Sequence, residues 1–152
     1  MRWATEISKE HFRSREGFKV LLVEDTEDNR SMMRRLLEMS GYQVLEAVNG
    51  EEAVRTAEQS RPHIILMDLS LPLIDGLAAT RQIRQLATSR DVPIIAVSAH
   101  DTADFHSEAL AAGCDAYITK PIDFFELEDL IWVLYSKKHS ARSGPLANEL
   151  EP

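Results

Sequence analysis

Between residues 18 and 138, short apolar runs alternate with segments of helical spacing. The first run, Lys19 to Val23, ends in Glu24-Asp25. A stretch follows with Met32, Leu36, Leu37 and Met39 on one helical face, stopped by Gly41. Residues 42–48 form the second run, and Asn49-Gly50 opens a helix carrying Ala53, Val54 and Ala57, closed by Pro62. His63 to Met67 ends at Asp68, and past a Pro/Gly loop a helix is expected over about 77–87. Val92 to Val97 ends at Ser98 and leads to a helix with Phe105, Ala109 and Ala112, capped by Gly113. Residues 116–119 end at Lys120-Pro121, before a last helix around Leu127, Leu130, Ile131 and Leu134.

Five strand–helix units in succession require parallel pairing with right-handed crossovers. The runs at 19–23, 64–67 and 94–97 are continuously apolar, as strands covered on both faces are. The pattern therefore predicts a three-layer α/β/α sandwich around a five-stranded parallel sheet. Residues 1–17 read as an N-terminal extension, with Trp3, Ile7 and Phe12 as a weak helical stripe. Residues 139–152 read as a flexible C-terminal tail, leaving 18–138 as the folded domain.

Composition narrows the function. The chain has 152 residues and a net charge of −8, a poor balance for gripping a phosphate backbone, so no direct nucleic-acid contact is expected. No apolar run exceeds Leu130 to Tyr135, and no charged-then-apolar leader opens the chain, so a cytoplasmic protein without membrane contact is expected. A single cysteine, Cys114, leaves no internal disulfide and no Cys-pair metal site, and reads as a small buried residue. His63, His100 and His106 lack metal-ligand spacing on a shared helical face and read as structural or surface residues.

In open parallel sheets, ligands bind beyond the carboxyl ends of the strands. That edge collects Glu24, Asp25, Asp68, Ser98 and Lys120. Three crowded carboxylates repel one another without a counter-charge. An all-oxygen set suits a hard divalent cation, Mg²⁺ best of all. Lys120 adds a fixed positive charge and Ser98 a rotatable donor, as needed to hold a phosphoryl group in line with a carboxylate nucleophile.

Glu24-Asp25-Thr-Glu-Asp-Asn29, Met67-Asp68-Leu-Ser-Leu-Pro72-Leu-Ile-Asp-Gly76, Val97-Ser98-Ala99 and Tyr117-Ile-Thr-Lys120-Pro121 together resemble the signatures of the response-regulator receiver domain. The separations Asp25–Asp68, Asp68–Ser98 and Ser98–Lys120 are 43, 30 and 22 residues, as in that family. The resemblance spans about residues 18–138 and implies a flavodoxin-like sheet of order 2-1-3-4-5. It implies Asp68 as phospho-acceptor toward a sensor histidine kinase or histidine phosphotransfer protein. It implies Mg²⁺ held by Asp25, Asp68 and the Ser70 carbonyl, with Glu24 acting through water. Lys120 would pair with a phosphoryl oxygen, Ser98 would bond another after phosphorylation, and Tyr117 would change rotamer to follow. Lys120-Pro121 is expected to be cis, and Pro72 and Gly76 to shape the loop beside Asp68, Gly76 through a tight turn. Ser70 and His100 occupy the positions that tune acyl-phosphate hydrolysis, a bulky His100 predicting slow decay.

On this reading the chain is a regulator rather than a conventional enzyme. It would catalyse its own phosphorylation and slow autodephosphorylation, then alter contact with a downstream effector protein. A stand-alone domain, monomeric or weakly dimeric on phosphorylation, is expected, because too few residues follow 138 for a DNA-binding module. A relay intermediate between histidines is the alternative. An aspartate-nucleophile phosphohydrolase is disfavoured because Ser70 stands where it needs a second Asp. A flavin carrier is disfavoured because Glu24-Asp25-Thr-Glu-Asp offers carboxylates where a phosphate cradle is required. Glu27-Asp28 read as solvated starters of the first helix. Arg30, Arg34 and Arg35 read as a solvated basic face, with a docking surface as the sharper option.

Overall fold

The structure is a computed structural model that describes residues 17–71, 75–100 and 102–149, with side chains described through 138. Trp3, Ile7, Phe12 and Pro72 lie outside the described residues.

The elements are β1 (Lys19–Val23), α1 (Glu27–Met39), β2 (Gln43–Ala47), α2 (Gly50–Ser60), β3 (Ile64–Asp68), α3 (Gly76–Gln85), β4 (Ile94–Ser98), α4 (Ala103–Ala112), β5 (Ala116–Thr119) and α5 (Phe124–Glu149). All pairings are parallel, as the pattern predicts, and the sheet order is β2-β1-β3-β4-β5, as the family resemblance implies.

Successive strand side chains alternate faces, and here both faces are apolar. Leu21, Val23, Ile65, Met67, Ile94 and Ala96 pack on one side against Ala53 and Ala57 of α2, Ala79 and Ile83 of α3, and Ala109 of α4. Val20, Leu22, Ile64, Leu66, Ile95 and Val97 pack on the other against Met33 and Leu37 of α1 and Leu127 and Ile131 of α5. Most of these side chains are fully buried, each stabilising the fold by roughly 1.5–3 kcal/mol relative to exposure. Three helices on one face and two on the other make the three layers.

Local chemistry sets the helix starts. Asn49 accepts from the Glu52 N–H (2.8 Å) and Asp75 from the Ala78 N–H (2.7 Å), filling N-cap roles. Glu27 and Asp28 sit in the first turn of α1, where the helix dipole favours negative charge. Cys114 is buried and its thiol is pushed up by desolvation, in keeping with a core residue.

Two boundaries differ from the sequence pattern. The third helix occupies 76–85 rather than 77–87, because Asp75 caps it one residue earlier and Leu86 has left helical geometry at ψ 130. The last helix continues through Glu149, across residues expected to be loose. The apolar stripe of the sequence stops at Tyr135, so the pattern gives no signal beyond it. Helix-forming residues such as Lys137, Lys138, Ala141 and Arg142 nonetheless continue the backbone past Gly144-Pro145.

Candidate phosphoryl and metal site

Parallel strands of matched register bring their carboxyl ends to one rim. Asp68 closes β3 opposite Val97 of β4, and Ser98 closes β4 opposite Thr119 of β5. Glu24 follows β1 directly and is tied to β2 by its N–H to the Ala47 carbonyl (3.1 Å). Lys120 follows β5 and donates its N–H to the Ser98 carbonyl (2.8 Å). The Lys120-Pro121 peptide is cis, as expected.

Oxygen atoms of Glu24, Asp25 and Asp68 lie within 4.8 Å of one another. Asp68 is 3% exposed. Its Oδ1 accepts from the Ser70 N–H at 2.9 Å, and its Oδ2 lies 3.4 Å from Lys120 Nζ. The same ammonium lies 3.5 Å from Glu24 Oε1. Asp25 is exposed at the mouth. Glu24 is 6% exposed, and its Oε2 is buried without a hydrogen-bond partner among the described residues. A buried, unpartnered carboxylate oxygen within an all-oxygen cluster is the donor chemistry a hard divalent cation fits, and one lysine does not balance three carboxylates.

Burial, with the Asp68 carboxylate beside it, pushes the Glu24 carboxyl up from 4.5 to about 7, Lys120 pulling the other way. In that interval the folded chain holds a proton that the unfolded chain has released. Its stabilising effect is full below about 4.5 and is lost as pH rises through about 7. Glu24→Gln has no such proton to lose. In metal-free buffer it should therefore gain on wild type, by on the order of 2–3 kcal/mol, between about pH 5 and about pH 8. Urea unfolding of both proteins at the two pH values measures this, and an equal difference at each would contradict it.

Arg30 has a role that the sequence reading missed. Its Nη1 donates to the carbonyls of Glu24 (3.0 Å) and Asp25 (3.4 Å), while its Nε lies 3.4 Å from Glu46 on β2. Arg30 is thus a positioning residue that clamps the backbone of the acidic loop. Arg34 also reaches Glu46 at 3.4 Å, so two of the three arginines face a carboxylate, and Arg35 is exposed. The only hint in the sequence was a cation five residues beyond the acidic pair.

Ser98 is 1% exposed, and its Oγ accepts from the His100 N–H at 3.1 Å in a local turn. The Tyr117 hydroxyl donates to the His100 carbonyl, and its ring stacks on His106 at 3.9 Å. Both groups thus hold the β4–α4 loop through the same residue, one at its N–H and one at its carbonyl. The exposed His100 ring stacks on Phe105 at 4.5 Å. Gly76 corrects an expectation: it does not serve a turn requiring positive φ. It opens α3 so close to β3 that a Cβ there would lie 2.3 Å from the Asp68 carbonyl oxygen.

A groove of about 270 Å³ runs beside Asp68 and Lys120, walled by Met32, Met33, Leu36, Pro121 and Ile122. Among the described residues no helix is long and apolar enough to cross a membrane.

Comparison with known proteins agrees with this geometry. Residues 20–131 match the response regulator receiver domain family. The chain is 41% identical over 103 residues to the polar-differentiation response regulator DivK of Brucella anthropi, covering 68% of this chain and 84% of DivK. It is 35% identical over 126 residues to the transcriptional regulatory protein PrrA of Mycobacterium tuberculosis, covering 83% of this chain and 53% of PrrA, so it spans about half of that relative. The receiver domain of the sensor histidine kinase PA1611 from Pseudomonas aeruginosa PAO1 was solved with magnesium coordinated in its active site cleft. It superposes with a TM-score of 0.73 at 38% identity, over 78% of this chain and 97% of that one. The chain therefore belongs to the response regulator receiver domains, which act as regulators in phosphorylation-based two-component signalling rather than as conventional enzymes.

Proposed function

We propose that Asp68 accepts a phosphoryl group from a phosphohistidine of a sensor kinase or histidine phosphotransfer protein, and that the acyl phosphate changes how the chain binds a downstream protein. The observation that carries this reading is the setting of Asp68. It is a buried strand-end carboxylate with one oxygen held by the Ser70 N–H and the other facing Lys120. A carboxylate oxygen attacks phosphorus, the bond to the histidine nitrogen breaks, and the imidazole leaves with the electron pair. Lys120, already between Glu24 and Asp68, offsets charge on a phosphoryl oxygen. The apolar groove beside the pair gives the donor a surface to rest on.

Asp25, Asp68 and the Ser70 carbonyl would hold Mg²⁺, with Glu24 acting through water. Its bound charge supplies further neutralisation of the phosphoryl oxygens. The unpartnered Glu24 Oε2 supports that assignment, as does the magnesium in the PA1611 domain. Ser98 acts as the switch: its hydroxyl, which accepts the His100 N–H, still has its own proton to donate to a phosphoryl oxygen, and turning toward that oxygen draws the His100 backbone with it. Because Tyr117 holds the carbonyl of the same residue, rearrangement of that loop moves Tyr117 with it. The chain assists its own phosphorylation, and hydrolysis of the acyl phosphate resets it.

Incubation with acetyl phosphate and Mg²⁺, read by intact mass, tests the proposal. A single phosphate adduct is expected. Absence of any adduct with this donor and with a histidine kinase would overturn the reading.

A further inference from the structure

At the amino ends of the strands, on the rim opposite Asp68, a cavity of about 290 Å³ opens between the α2–β3 turn, the α3–β4 loop and α5. Arg61, Arg90 and Lys138 line it against one carboxylate, Asp91, in a chain whose net charge is −8. Local positive charge on an acidic protein has to be maintained against the overall field.

Lys138 is engaged, donating to the Asp91 carbonyl and lying 3.7 Å from Asp115 Oδ1. The guanidinium groups of Arg61 and Arg90 have no hydrogen-bond or ion-pair partner among the described residues. His63, in the same wall, accepts the Lys19 N–H on Nδ1 at 2.9 Å, and burial lowers its pKa. The neutral ring therefore carries its proton on Nε2, which also has no partner among the described residues. The free polar groups are donors, and a ligand for them must be rich in acceptors and negatively charged.

Arg61 adds a second observation. It caps α2 with φ 46 and ψ 67, in the left-handed region that glycine enters freely and other residues enter at roughly 1–2 kcal/mol. Local structure there favours glycine, yet the chain places its longest cation at the mouth of the cavity. A residue that violates local preference without a packing gain is where function is sought. Pro62, Pro93 and Tyr135 supply flat apolar surface beside the cations. The volume sits at the small end of ligand pockets, room for more than a bare ion.

We propose that this cavity binds a phosphate-bearing anion, with Arg61 and Arg90 holding the phosphate oxygens. The site is independent of Asp68 chemistry, and its ligand is either a phosphate monoester of mononucleotide size or free phosphate. Planar guanidinium donors suit such an oxyanion better than an ammonium would.

The full chain, with EDTA present so that no metal recruits phosphate to the carboxylate rim, is titrated with inorganic phosphate and separately with adenosine monophosphate. Amide resonances report the outcome. Saturable shifts are expected at Arg61, His63 and 88–92, without shifts at Glu24, Asp25 or Asp68. An R61G/R90A double variant should bind about tenfold more weakly or worse. The double variant should keep the wild-type thermal midpoint, since Arg61→Gly relieves backbone strain and Arg90 is exposed, so weakened binding cannot be ascribed to unfolding. Tighter binding of the nucleotide supports the monoester, and equal affinities support free phosphate. No saturable shift with either probe, or affinity unchanged in the double variant, would overturn the proposal.

Discussion

Asp68→Asn is expected to leave no phosphate adduct after treatment with acetyl phosphate and Mg²⁺, while making the metal-free protein no less stable than wild type. The substitution keeps shape, and an amide oxygen still accepts the Ser70 N–H now bonded to Oδ1. What disappears is the nucleophile and one of three clustered negative charges. Asp68 is a principal reason, after burial itself, that the Glu24 carboxyl is pushed up to about 7. Without that neighbour Glu24 ionises more easily, and Lys120 at 3.5 Å is left to pair with it alone. Relief of repulsion should stabilise the variant by about 1 kcal/mol near neutral pH, offset in part by the lost Lys120–Asp68 contact. Intact mass reads the first outcome and the urea midpoint the second. An adduct at the wild-type level would move the acceptor away from Asp68. Clear destabilisation would mean that the Lys120 contact outweighs the repulsion among the carboxylates.

The placement of these groups was legible because of a topological rule rather than any single motif. Glu24-Asp25, Asp68, Ser98 and Lys120 each end or directly follow an apolar run, so parallel pairing carries all of them to one rim. Layering was legible for a related reason, since continuous apolar runs such as Ile64-Ile-Leu-Met67 have no solvent-facing side. What escaped depends on distances across the fold. Arg30 looks like any cation on a helix until its guanidinium is found on the Glu24 and Asp25 carbonyls. Arg84 likewise shows nothing in periodicity of the bonds it makes to the Gly113 and Val92 carbonyls and to Asp115. The continuation of α5 to Glu149 escaped because patterning detects helices by their apolar stripe, and in the sequence that stripe ends with Tyr135. Gly76 was placed correctly beside Asp68 for the wrong physical reason, and the difference has consequences for stability.

Gly76→Ala should be among the most damaging conservative changes in the chain. On local grounds it ought to help, since Gly76 is the first residue of α3, has no positive φ, and alanine favours helix by about 1 kcal/mol. The added Cβ, however, would lie 2.3 Å from the Asp68 carbonyl oxygen and 2.7 Å from Leu69 Cα. These are backbone atoms at the end of a fully buried central strand, so no rotamer change can move them aside. Either α3 backs away, loosening Ala79 and Ile83 from the core and straining the Asp75 cap, or β3 shifts at Asp68. Overpacking against rigid backbone should cost about 2–4 kcal/mol after the propensity gain, read as a lower urea midpoint. Displacement at Asp68 would also disturb the carboxylate geometry set by Ser70 and Lys120, so the rate of adduct formation should fall at least about tenfold. Gly17→Ala is the control. With φ +76 and nothing among the described residues within 4 Å of a Cβ, it should cost about 1 kcal/mol in backbone strain and leave the phosphorylation rate unchanged. If Gly76→Ala matched wild type in both measurements, the close approach of α3 to β3 would not be what positions Asp68.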